Sequence, residues 1–154
     1  MKKLVLAIVA LAGLLVTEAH AQLTGPSAIA YIHDGTKAGS YKVERDAHSV
    51  TFRDAMTGVE VFKASEVNSQ TVTLVGFVAS LRNLSSEQKD LLLKKIAFYN
   101  FSSPVGTLLV DSETGDITME HHLNPRHVSP SSMATVASRF GDAVRAESKT
   151  LLQW

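Results

Sequence analysis

The sequence predicts an α+β domain: an antiparallel sheet of about five strands with two or three helices packed on it, in the order α-β-β-β-α-β-β-α. Three observations carry this. Strand-like runs come in groups, with a single helical segment between the groups, which is the pattern of an antiparallel rather than an alternating βαβ chain. Short turn signals, Met56-Thr57-Gly58 and Ser112-Glu113-Thr114-Gly115, separate neighbouring runs as hairpins do. The two best-marked helices carry explicit start signals, Ser85-Ser86-Glu87-Gln88 and Ser129-Pro130.

The chain opens with Met1-Lys2-Lys3, an apolar run over residues 4–16, and the polar close Thr17-Glu18-Ala19-His20-Ala21. That layout predicts a secretory signal peptide over residues 1–21, cleaved after Ala21. The run is shorter than the ~20 apolar residues a bilayer span requires. A bacterial periplasmic or secreted protein is therefore expected, without an integral membrane segment after cleavage. Residues 22–40 read either as a lead segment or as a short helix with Pro26 in its first turn. Residues 41–154 read as one domain.

Strand character begins at Tyr41. Val50 and Phe52 alternate with Thr51 and Arg53, and residues 59–63 resume with Val59 and Val61 on one face. Residues 70–80 are rich in Val, Thr, Leu and Phe with little alternation, as in a central strand. Gly76 within that run marks a bulge or a close contact. In the helix after Ser85, Leu92, Ile96 and Tyr99 recur at helical spacing, supported by Leu91, Leu93 and Ala97. Residues 105–111 and 115–123 form a second hairpin. In its second strand Ile117, Met119, His121 and Leu123 share one face, and Asp116, Thr118, Glu120 and His122 the other. Met133, Val136, Ala137, Phe140 and Val144 give the last helix an apolar stripe.

Composition excludes several functions. The chain has 154 residues and no cysteine, so removal of 21 leaves 133, held by core packing without disulfides or a lipid-modified cysteine. Loss of Lys2, Lys3 and Glu18 leaves 15 − 2 = 13 basic against 15 − 1 = 14 acidic residues. A net charge of 13 − 14 = −1 supplies no drive towards nucleic acid. No Gly-x-Ser-x-Gly elbow and no phosphate loop is present. Residues 111–116 lack the spacing and terminal Glu of a calcium loop, and read as a turn.

The segment from Asn100 to Val144 carries a resemblance. A helix ends at Asn100. The strand Val105-Gly106-Thr107-Leu108-Leu109-Val110-Asp111 follows, then a Thr114-Gly115-Asp116-Ile117 turn. A polar loop with Val128-Ser129 then precedes a helix bearing Phe140. In these features the chain resembles the YbjN family, which is grouped with the Tir-chaperone-like fold of type III secretion chaperones. The resemblance implies a non-enzymatic domain that binds or regulates another polypeptide, with no cofactor, and by analogy a homodimer. It carries over no site residues.

From the residues themselves, the outward positions Thr118, Glu120 and His122 of the second hairpin are the expected partner contacts, with Trp154 as a terminal aromatic that either packs or serves as an anchor. The alternative function is small-ligand or metal binding. His122 and His127, with Glu120, are the candidate Zn or Cu ligands. His121, on the apolar face, is expected to be a hydrogen-bonded core histidine.

Overall fold

A computed structural model describes residues 24–36 and 40–153. The expected signal peptide and Trp154 lie outside the described residues. The elements are α1 (Gly25–Gly35), β1 (Tyr41–Arg45), β2 (Ser49–Asp54), β3 (Glu60–Asn68), β4 (Thr71–Ser80), α2 (Ser86–Ser102), β5 (Thr107–Val110), β6 (Asp116–Leu123) and α3 (Pro130–Thr150). The strands make an antiparallel sheet in the order β1-β2-β3-β4-β6-β5. The predicted α+β class and helix–strand grouping are those observed.

The sheet has six strands where the sequence predicts about five. The additional one is β1, a five-residue edge strand in which Lys42, Glu44 and Arg45 face solvent. Short length and charge are how sheets protect an edge from further pairing, and both weaken the sequence signal of a strand. The second difference is in β3. Val59 precedes the strand and is 65% exposed, while Val61 and Phe62 are both buried. The cause is a register shift between Phe52 and Arg53, which breaks the two-residue period on which the predicted Val59–Val61 face depends.

α1 and α3 pack together across one face of the sheet. Ala28, Ile29 and Ile32 of α1 are fully buried, and Met133, Ala137, Phe140 and Val144 of α3 meet the same core. Four rings form its centre. Phe52 and Phe62 stack at 4.3 Å, and Phe140 and Tyr41 stand edge-on to Phe62 at 5.5 and 5.9 Å. α2 lies beside β5. Its start is a reciprocal capping box, with Ser85 Oγ accepting from Gln88 N–H and Gln88 Oε1 accepting from Ser85 N–H.

Two hairpin turns share one chemistry, Asp-x-x-Thr-Gly. Asp54 Oδ1 accepts from the backbone of Met56 and Thr57, and Asp111 Oδ1 from Glu113 and Thr114. These amide bonds hold both carboxyls below the usual Asp range. Gly58 and Gly115 close the turns at φ +72° and +70°, a conformation natural to glycine.

Tyr41 carries an uncompensated cost. Its hydroxyl is buried with no hydrogen-bond partner among the described residues, and the Arg145 guanidinium lies 4.1 Å from its ring centroid. Burial raises its pKa, and Arg145 partly opposes this. Tyr41→Phe keeps the ring contacts and removes the orphaned hydroxyl, so urea denaturation is expected to show a gain of about 1 kcal/mol. The raised pKa adds a sign. The proton is held more tightly in the folded state, so this contribution is present below the unfolded value near 10 and is lost as pH rises through the folded one. Wild type should therefore lose stability at alkaline pH faster than the Phe variant. A variant less stable than wild type at neutral pH would show the hydroxyl to be satisfied.

Candidate functional site

α3 touches the face of β4 from which Gly76 points: a Cβ there would sit 2.6 Å from Val144 Cγ2. Alternation places Thr73, Val75 and Phe77 on the opposite face. The pairing of β4 with β6 and β6 with β5 then sets cross-strand rows on that face. Phe77 lies opposite Thr118, and Thr118 opposite Leu109. Val75 lies opposite Glu120, and Glu120 opposite Thr107. Thr73 lies opposite His122.

The rows are graded in polarity. Phe77 and Leu109 are 55% and 43% exposed, an apolar strip at one end. At the other end Thr73 Oγ1 and His122 Nδ1 are hydrogen-bonded at 2.9 Å, and His122 Nε2 lies 3.8 Å from Glu120 Oε2. The sequence-selected residues Thr118, Glu120 and His122 thus share one surface. Sequence reasoning missed the strip beside them. Phe77 and Leu109 become its neighbours only through a register that no local signal reveals.

A hydroxyl, an imidazole and a carboxylate in series invite comparison with a hydrolytic triad. The comparison fails on two counts. Thr73 is only 7% exposed, so its hydroxyl is closed to a substrate carbonyl. Strand pairing on both sides of β4 consumes the nearby amides in the ladder, leaving none as oxyanion donors. The group is a polar relay that orients the His122 ring at the surface.

For metal binding, Glu120 and His122 are brought together. Among the described residues, however, no three His, Cys, Asp or Glu side chains are grouped to hold an ion. His127 sits in the loop after β6, its N–H donating to the Asn124 carbonyl. His121 lies opposite Leu74 on the covered face, only partly enclosed. Burial chiefly, then the neighbouring His122, lowers its pKa.

A second exposed apolar surface lies on α2. Leu92 and Ile96 are buried as predicted. Leu91 and Leu93, expected to support them, are instead 46% and 45% exposed. Phe98 and Phe101 are 73% and 92% exposed. The available signal was the surplus: α2 carries more large apolar residues than one buried face accommodates. At its C-terminal end Asn100 reaches β5, where its Oδ1 accepts from Leu108 N–H at 2.7 Å and its Nδ2 donates to Leu108 C=O at 2.9 Å.

No protein-family model matches the chain, and no curated protein matches it. Solved structures do. A chain of the HopA1–SchA chaperone–effector complex aligns with a TM-score of 0.54 at 11% identity, over 79% of this chain and 92% of that one. The Yersinia pestis type III secretion chaperone SycH, solved with a stable fragment of YscM2, aligns with a TM-score of 0.49 at 16% identity, over 80% of this chain and 99% of that one. At such identities the likeness is one of fold alone, shared with a chain of the HopA1–SchA complex.

Proposed function

We propose that the chain is an exported, non-catalytic polypeptide-binding domain of the bacterial envelope, of YbjN type, that works as a homodimer. One observation carries the binding role. The sheet face opposite α3 leaves an apolar strip, Phe77 and Leu109, in register with the polar positions Thr118, Glu120 and His122. A surface that pairs exposed apolar area with a few fixed polar groups suits a peptide whose side chains alternate in kind. The chaperone-like fold supports the reading, since the solved structures sharing it include a chaperone–effector complex. Export is supported by the tripartite start of the chain.

The test has two parts. Fractionation of cells expressing the full chain is expected to recover a shortened form in the periplasm or medium. Full-length protein confined to the cytoplasm refutes export. The purified mature chain is then offered an envelope extract, and retained proteins are identified. Phe77→Ser with Leu109→Ser is expected to reduce capture of a reproducible partner at least about tenfold, while the unfolding midpoint changes little because both sites are exposed. Undiminished capture by the double variant moves the binding site elsewhere.

A further inference from the structure

We infer that the occupant of the open sheet face is a cationic extended segment, with an apolar side chain seated on Phe77 and Leu109 and a lysine or arginine two residues to either side of it. The inference rests on the polypeptide-binding reading of that face and names the chemistry of the partner. Asp116, Thr118 and Glu120 alternate along β6 with the buried Ile117 and Met119, so the three share the outer face. Thr118 is the middle of the apolar row, with Phe77 and Leu109 as its cross-strand neighbours. The two carboxylates therefore flank that row, one on each side, at about 7 Å along the strand.

Charge selects the occupant. Among the described residues no lysine or arginine pairs with either carboxylate: Glu120 has the His122 ring at 3.8 Å, and Asp116 has no ion pair. The basic groups of the sheet lie elsewhere. Lys63 stands opposite Val75, two strands from Glu120 and roughly 10 Å away. Arg53 lies near Glu44 and Glu60 toward the other edge. Arg82 Nε donates to the Thr114 carbonyl of the β5–β6 turn at 2.6 Å, where Asp111 and Glu113 add negative charge. An extended chain laid along β6 presents alternate side chains to the face at the spacing of β6 itself. An apolar residue over Thr118 then places the residues two positions away over Asp116 and Glu120. Lysine and arginine suit those places, because their stems extend the apolar contact while their heads reach the carboxylates. An acidic segment would set like charges together, and the same repulsion disfavours an anionic lipid surface. Exposed ion pairs contribute modestly, so these carboxylates choose among partners more than they hold them.

Two fluorescein-labelled peptides with a central leucine test this, one carrying lysine and the other glutamate two positions to either side. By fluorescence polarisation at about 50 mM salt, the mature chain is expected to bind the lysine peptide at least about tenfold more tightly, and the gap to narrow at about 500 mM. Asp116→Asn with Glu120→Gln is expected to cut the preference to about threefold or less, with unchanged circular dichroism. Glu44→Gln with Glu60→Gln removes the same charge at the other end of the sheet and is expected to leave the preference intact. Equal binding of the two peptides, tighter binding of the glutamate peptide, or binding of neither overturns the inference, and this comparison needs no variant to fold. A preference that survives in the doubly neutralised variant, or that falls as far in the control, overturns the assignment to Asp116 and Glu120. Loss of envelope-partner capture on Phe77→Ser with Leu109→Ser leaves the binding role of the sheet face standing whichever peptide is preferred, so the two readings fail separately.

Discussion

Phe62→Ala is expected to destabilise the domain by about 4 kcal/mol and to lower its thermal midpoint by roughly 12 °C. Phe62 is fully buried at the junction of both layers. It stacks on Phe52 from the neighbouring strand, meets Tyr41 edge-on from β1, and receives Phe140 from α3. Truncation therefore removes transfer free energy, leaves a cavity, and deletes three ring contacts worth about 0.5–1.5 kcal/mol each. The walls of that cavity are poorly able to collapse. Two belong to the sheet ladder, and the third is a helix that also lies against Gly106 and Gly76. Phe98→Ala serves as the comparison, since the same chemical change at a 73% exposed position should cost less than about 0.5 kcal/mol. Urea denaturation of both variants measures the contrast. A Phe62→Ala cost below about 2 kcal/mol would mean that the four-ring cluster does not organise the core.

The parts of this fold that can be read from the chain are those whose cause is local. The capping box at Ser85 and the Ser129 cap before Pro130 depend on residues within one turn, and both are observed. The same holds for the common face of Thr118, Glu120 and His122, which needs only the strand period. Illegible parts have distant causes. The hydrogen bond from Thr73 to His122 joins residues 49 apart in sequence. The row of Phe77, Thr118 and Leu109 depends on a cross-strand register that no local pattern specifies, and that register shifts between Phe77 and Ala79, just beyond Gly76. β1 is legible only as an onset of strand character at Tyr41, for the opposite reason: the charges that protect an edge strand also obscure it as a separate strand. On α2, a search for one apolar face succeeds with Leu92 and Ile96 and stops there, so the exposed Phe98 and Phe101 are overlooked. The residues that a fold-based reading leaves unexplained are the ones that suggest an interface.

Gly76 shows how a residue legible as a signal acquires its meaning only in three dimensions. As a glycine inside a central strand it marks either a bulge or a close approach, and the structure separates the two. The irregularity lies just beyond it, between Phe77 and Ala79, while Gly76 itself keeps register with Met119. Its reason is close approach: a Cβ would stand 2.6 and 2.9 Å from the two Val144 methyls and 2.9 Å from the Val61 carbonyl oxygen. Gly76→Ala is therefore expected to cost about 2–3 kcal/mol by forcing α3 off the sheet, although alanine is the better strand residue at an open site. The side chain and the backbone contribute separately, and a double-mutant cycle separates them. Val144→Ala alone should cost about 2 kcal/mol as a cavity. In the Gly76→Ala background much of that loss is offset, because the new methyl fills the space and the Val144 clash is gone, giving a coupling of about 1–2 kcal/mol. Rescue stays incomplete, since the Val61 carbonyl is backbone and has no rotamer by which to yield. Unfolding free energies of the four proteins read this directly. Additive losses would place α3 further from β4 than the contact between Gly76 and Val144 allows.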